Sequence, residues 1–307
     1  MNAFALSPLR RLRSFELKLP ALSPLRVLPI LTIVLLLVST ADNGLLFTPL
    51  AAWFALGAAL PRLLRTSFFW YVTATVLGTA VWFTWESADN HRYLFVYWSL
   101  ALCSVFSLPR SEQPLALALT SRWLLGLCMG LAVVWKIASA DYLSGTFFHY
   151  ELLADERFAY FASWMSGLSL EQLAENRALR ESLTSGYLQG NTIQEVQLHT
   201  APSIVSAAQF LTWWTLGIEA LLAGLFLGTA VFIRRPRPVL IASLALLVFA
   251  ATTYTVAPVR GFGGILMLLG LAQCEPDQKK LRYVFLIAFV LLQLSPLPLM
   301  DLLALIR

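Results

Sequence analysis

The chain has 307 residues, of which 58% are hydrophobic and 13% charged, and its mean hydropathy is +0.71. A soluble domain is nearer about 45–50% apolar and about 25% charged, so a soluble globular class is excluded. An all-α, polytopic integral membrane bundle is expected instead. The net charge of +5 is spread between apolar runs, which points to membrane topology rather than a nucleic-acid footprint.

Residues 1–26 form a basic arm, with Arg10, Arg11, Arg13, Lys18 and Arg26 against Glu16 alone. Such an arm suits a cytoplasmic N-terminus. The competing reading is a signal peptide, with 27–38 as its apolar region and Ser39-Thr40-Ala41 as a cleavage site. The basic region preceding it is too long for that. A helix needs about 20 mostly apolar residues to cross a bilayer, within a range of about 17–25. Segments 24–41, 44–60, 67–86, 92–109, 114–140, 203–233, 237–257, 261–275 and 281–303 meet or approach that length. About nine spans are therefore expected in a transmembrane domain covering 27–303. The first and eighth are short, and Pro296 and Pro298 are placed to break the last.

Charge alternation supplies an orientation. With the N-terminus inside, the inner connections hold 14 basic residues and the outer ones six, while Arg122 and Lys136 fall within the fifth segment. That is the bias of the positive-inside rule. The long connection 141–202 then lies outside, with eight acids against three arginines. Within it, Ser169 and Gln172 form a capping box that opens an amphipathic helix to about Leu183, with Gly186 as its stop. Residues 150–166 read as an aromatic-rich helix able to lie on the bilayer surface.

Ionisable groups inside spans are costly, so each is a functional candidate. Lys136 lies at the outer end of the fifth segment. It either snorkels its head to the interface or is desolvated into a neutral amine that can act as a base. Arg122 is 14 residues earlier, about 21 Å along a helix, and is expected to snorkel at the inner face. Glu219, near the middle of the sixth segment, must be protonated or paired within the bundle. His91 enters the fourth segment from an outer loop beside Asn90. It is an exposed loop residue or, with its pKa near neutrality, a proton-handling group at the same face as Lys136.

Cys103, Cys128 and Cys274 sit in or beside apolar runs without a CxxC, and read as buried thiols rather than a disulfide framework or zinc site. No P-loop, GxGxxG, HExxH or GxSxG occurs. The stretch Gly261-Phe262-Gly263-Gly264 favours helix packing over phosphate binding.

The stretch Asp89-Asn90-His91-Arg92-Tyr93-Leu94 resembles the Asn-His-x-Tyr-Leu segment of the vitamin K-dependent gamma-carboxylase family. Arg122 followed 14 residues later by Lys136, then by Asp141-Tyr142-Leu143-Ser144-Gly145, is similar to the start of that family's lumenal loop. Thr215-Leu216-Gly217-Ile218-Glu219 resembles the glutamate-bearing helix of its bacterial relatives, the HTTM (horizontally transferred transmembrane) proteins. The chain departs from the family at Met129, where an aromatic is usual. The resemblance covers roughly 85–275. It implies a nine-helix fold and a reduced vitamin K or menaquinone-type quinol as cofactor, with no metal. Lys136 would be the base that deprotonates the quinol, and His91 would assist carboxylation of a peptide or protein glutamate at the outer face. Asn90, Arg122, Asp141 and Glu219 would be supporting polar groups.

Three functions compete: a quinol-using lyase-type membrane enzyme, a non-catalytic module binding lipid or a partner protein through its outer face, and a transporter. A transporter should carry polar groups and broken helices near the midplane of both halves, and Glu219 alone fits that.

Overall fold

The computed structural model describes residues 22–41, 44–85, 90–188, 196–232, 236–275 and 277–294. The basic arm through residue 21, Asp89, and the helix breakers Pro296 and Pro298 lie outside the described residues. The described chain is helical throughout: α1 (Pro24–Thr40), α2 (Gly44–Ala59), α3 (Ser67–Phe83), α4 (Asn90–Ser107) and α5 (Gln113–Ala138) come first. Four helices of the long connection follow, α6 (Ala140–Leu143), α7 (Thr146–Ala154), α8 (Ala159–Ser166) and α9 (Leu170–Leu188). The chain then forms α10 (Pro202–Val231), α11 (Pro236–Val256), α12 (Arg260–Gln273) and α13 (Lys279–Leu294).

A helix lies at each of the nine predicted segments. Among the described residues, three are long and apolar enough to cross a membrane: α5, α10 and the Pro238–Val256 part of α11. Helices α1 to α3 are apolar but shorter. The surface has a membrane protein's character. Leu127, Leu131 and Val134 form an exposed stripe on α5, while Leu125 and Met129 on its other face are buried. Contiguous apolar surface of that kind is rare on soluble monomers. Trp82 and Trp85 at the end of α3 and Trp135 at the end of α5 are exposed at the ends the charge pattern assigns to the outside, where an aromatic belt would sit.

The centre of the bundle is α12. It is buried on every side from Gly263 to Gln273, as a helix hydrophobic all round should be. At 14 residues it is only about 21 Å long, but α1, α4, α5, α11 and α13 enclose it. Glycine permits the close approach. A Cβ on Gly270 would run into the fully buried Phe285 ring of α13, and one on Gly263 into the Tyr254 ring of α11. The Gly261–Gly264 stretch is thus a packing device, as expected. Polar ties join the helices at a few points: Trp98 Nε1 donates to Thr32 Oγ1 (2.9 Å) and Gln273 Nε2 to Ser243 Oγ (3.0 Å).

The long connection builds a second, smaller core. Helix α10 has 30 residues, about 45 Å at 1.5 Å per residue, well beyond the ~30 Å hydrocarbon thickness. Its first turns are therefore free to act as a platform. Ile204, Ala207, Ala208 and Leu211 pack there against Phe148, Leu152, Leu153 and Phe158 of the loop. The single helix expected over 150–166 is corrected: the segment is divided between two helices, α7 and α8, whose apolar residues pack onto α10. The capping box is present, with Gln172 N donating to Ser169 Oγ (3.1 Å) and Ser169 N to Gln172 Oε1 (2.9 Å). Helix α9 continues past Gly186 to Leu188.

Candidate functional site

Helices α5 and α10 run antiparallel as the most extensively packed pair of the bundle. Small residues set their register: Gly126 faces Leu227, and Gly130 faces Ala223. Continuing that register up α5 brings its last turn opposite Glu219, and there Lys136 Nζ donates to Glu219 Oε1. The side chain of Glu219 is 9% exposed and that of Lys136 21%. Lys136 therefore turns inward to a carboxylate, while its neighbours Trp135 and Ile137 face outward.

The turn after α5 completes the site. Ser139 ends the helix, and its hydroxyl accepts from Tyr142 N (3.3 Å), capping α6. That turn carries Tyr142 over the amine, with Nζ 5.1 Å from the ring centroid, within cation–π range. The Tyr142 hydroxyl meets Thr215 Oγ1 at 2.5 Å. Thr215 donates its own proton to the Leu211 carbonyl (2.8 Å), so the phenol is the donor. Burial pushes the Tyr142 phenol above its ordinary pKa, which keeps it in that donating form. Gly145, at φ 84°, adopts the left-handed conformation needed to reverse the chain into α7.

Thr215 and Glu219 are four residues apart and so share a face of α10. Lys136, Glu219, Tyr142 and Thr215 thus form one polar cluster near one end of the bundle. Its second carboxylate oxygen, Glu219 Oε2, is buried without a hydrogen-bond partner. An orphaned acceptor in an apolar surround is costly.

The other predicted site residues are elsewhere. His91 stacks edge-on with Phe95 (5.5 Å between centroids). It lies against Gly261 at the start of α12, where a Cβ would come 3.0 Å from Nε2 and 3.4 Å from Ser39 Oγ. His91 therefore belongs to the junction of α1, α4 and α12. Asn90 is exposed at the start of α4, and Asp141 is exposed in the first turn of α6. Snorkelling of Arg122 is corrected: it is 6% exposed and turned into the bundle, 3.7 Å from Glu275. The paired acid, beyond the end of α12, gives it a reason to stay inside.

Sequence reasoning missed Glu275 and the buried Arg282. Both sit at helix ends that charge alternation already assigns to the side of Arg122, and that shared level was the available signal. It also missed Asn176, fully buried in α9. Asn176 Nδ2 donates to the His199 carbonyl and its Oδ1 accepts from His199 N, both at 2.9 Å. The three cysteines are free thiols. Among the described residues no three His, Cys, Asp or Glu side chains converge as metal ligands would.

Compared with known proteins, the chain matches no protein-family model, no curated protein and no solved structure.

Proposed function

We propose that this chain is a membrane enzyme of gamma-carboxylase-like chemistry, of the HTTM type, in which the Lys136–Glu219 pair takes a proton from a lipid-soluble quinol. The observation that carries the reading is Glu219 Oε2, a buried acceptor with no donor, beside the Lys136 amine. A hydroxyl lodged between α5 and α10 would supply that donor, and in this respect the residues fit a quinol. The identity of the quinol, reduced vitamin K or a menaquinone-type lipid, rests on the resemblance around His91, Lys136 and Glu219. When bound, such a quinol supplies the reducing equivalents for an oxygen-dependent epoxidation that generates a strong base.

The chain's own part is proton handling. For Lys136 to serve as the base, its Nζ proton would pass to the Glu219 carboxylate, since neutral partners are cheaper to bury than ions. With a quinol bound, the Lys136 amine would accept a hydroxyl proton, and the ammonium would sit over the Tyr142 ring, which favours the cation. The cluster gains one proton overall. Tyr142 and Thr215 hold α6 against α10, closing the amine off from the outer side.

The helices at the nine predicted segments are read as nine spans, with a cytoplasmic N-terminus and 141–202 outside. A peptide or protein glutamate would approach from that outer face, where the resemblance gives His91 its part in carboxylation.

The test begins with protein purified in mild detergent and mass spectrometry for a co-purifying menaquinone-like lipid. Quinol consumption is then compared between the wild type, Lys136→Met, and Lys136→Met/Glu219→Leu. A folded double variant without activity supports the reading. If no quinone co-purifies and no consumption depends on Lys136, it is abandoned in favour of a non-catalytic membrane module.

A further inference from the structure

At the other end of α5 and α10, the ends of α1, α5, α10, α11, α12 and α13 meet around one cavity of about 1030 Å³. Two buried guanidiniums line it, Arg122 and Arg282, and each has an Nε–H without a hydrogen-bond partner. Arg282 spends its other nitrogens on backbone, NH1 on the Leu22 carbonyl (2.8 Å) and NH2 on the Cys274 carbonyl (3.0 Å). It is thereby fixed in place with one edge unused. Arg122 faces Glu275 at 3.7 Å, beyond hydrogen-bond range. With two cations against one carboxylate, the wall carries a net positive charge.

Buried donors without acceptors are expensive, and more so when charged. An anion removes that cost, and phosphate oxygens match the guanidinium edge. Size then narrows the ligand. The cavity is at the upper end of the ~300–1,000 Å³ range that holds drug-sized molecules, far more than an inorganic phosphate fills. Its remaining wall is apolar and opens beside the exposed Leu115, Val231 and Phe232, where an acyl chain would continue.

We propose that this cavity binds an anionic phospholipid, its headgroup phosphate against the guanidiniums of Arg122 and Arg282 and its chains running out past Leu115 and Phe232. The site is remote from the Lys136 cluster and does not depend on the quinol reading.

The experiment titrates the full chain in detergent with dioleoylphosphatidylglycerol, with dioleoylphosphatidylcholine and inorganic phosphate as separate arms, and follows thermal unfolding. Phosphatidylglycerol raises Tm and the zwitterionic lipid does not. Arg122→Gln weakens the apparent affinity about tenfold or more, the loss of one charge-assisted hydrogen bond. Because that variant could also loosen the fold, Ala118→Phe fills the cavity with both arginines in place, and it too removes the response. An equal response to both lipids overturns the proposal, as does a phosphatidylglycerol response unchanged in both variants. Inorganic phosphate raising Tm as much as phosphatidylglycerol overturns the lipid assignment.

Discussion

Lys136 donates to Glu219 across 83 residues of sequence, from the last turn of α5 to the middle of α10. Neither residue faces the outside, so each is the other's means of staying buried. Removing one partner of such a pair costs about 3–5 kcal/mol, whereas replacing both with apolar groups is often neutral. Lys136→Met and Glu219→Leu should each lower stability, toward the lower end because Lys136 is a fifth exposed. The double variant should recover most of the loss. Unfolding curves for the four proteins in one detergent check this, and a double variant as unstable as the worse single one sinks the pairing.

Tyr142 links the loop to α10 through a single hydroxyl. Tyr142→Phe removes the bond to Thr215, which keeps its bond to the Leu211 carbonyl and is left with no orphaned proton. The expected cost is about 1 kcal/mol. Tyr142→Ala also empties part of the outer core and should cost about 3 kcal/mol or more. Similar losses for the two would show that the ring contributes nothing to the packing.

Helix positions were legible in the sequence because a bilayer-length apolar run is the strongest signal a chain can carry. The grouping of helix ends was legible too: the ends of the first, fifth, sixth, seventh, eighth and ninth segments that charge alternation puts on one side meet around one cavity. Which spans surround which was not. The short eighth segment looked marginal, yet it is the enclosed centre, because its glycines let α13 and α11 approach where a lipid-facing helix would need length. Pairings were equally hidden. Lys136 and Glu219 were each singled out as out-of-place charges, but the register that joins them is set by Gly126 and Gly130, which carry no chemical signal. The same blindness left Arg122 without Glu275.

The glycines of α12 and α10 should respond oppositely to one methyl. On Gly270 a Cβ meets the rigid, fully buried Phe285 ring, so Gly270→Ala is expected to cost about 1–3 kcal/mol as overpacking. On Gly217 it meets nothing within 4 Å. Gly217→Ala should stabilise α10 by up to about 1 kcal/mol through helix propensity. Paired thermal melts decide it, and destabilisation of similar size at both sites would refute the central placement of α12.

Glu151 gives the outer loop its own pH dependence. Burial, joined by the neighbouring Asp155, raises its pKa from 4.5 to about 6. Arg180, at 3.9 Å from Oε2, is too distant to reverse this. Asp155 is the opposite case: burial pushes its pKa up, but the hydrogen bonds from Arg157 hold it below the ordinary range. A carboxyl that binds its proton more tightly when folded contributes stability that is full below pH 4.5 and lost as pH rises through about 6. Asp155 stays ionised across that window, so the slope there belongs to Glu151. The loss is smaller than the ~2 kcal/mol that the full displacement represents, because solvent screens a half-buried group. Glu151→Gln should flatten the fall in loop stability between pH 4.5 and 6 while leaving behaviour above pH 7 nearly unchanged. Hydrogen exchange of α7 and α8, measured across that range in both proteins, reads the difference. Parallel profiles would show that Glu151 does not titrate there.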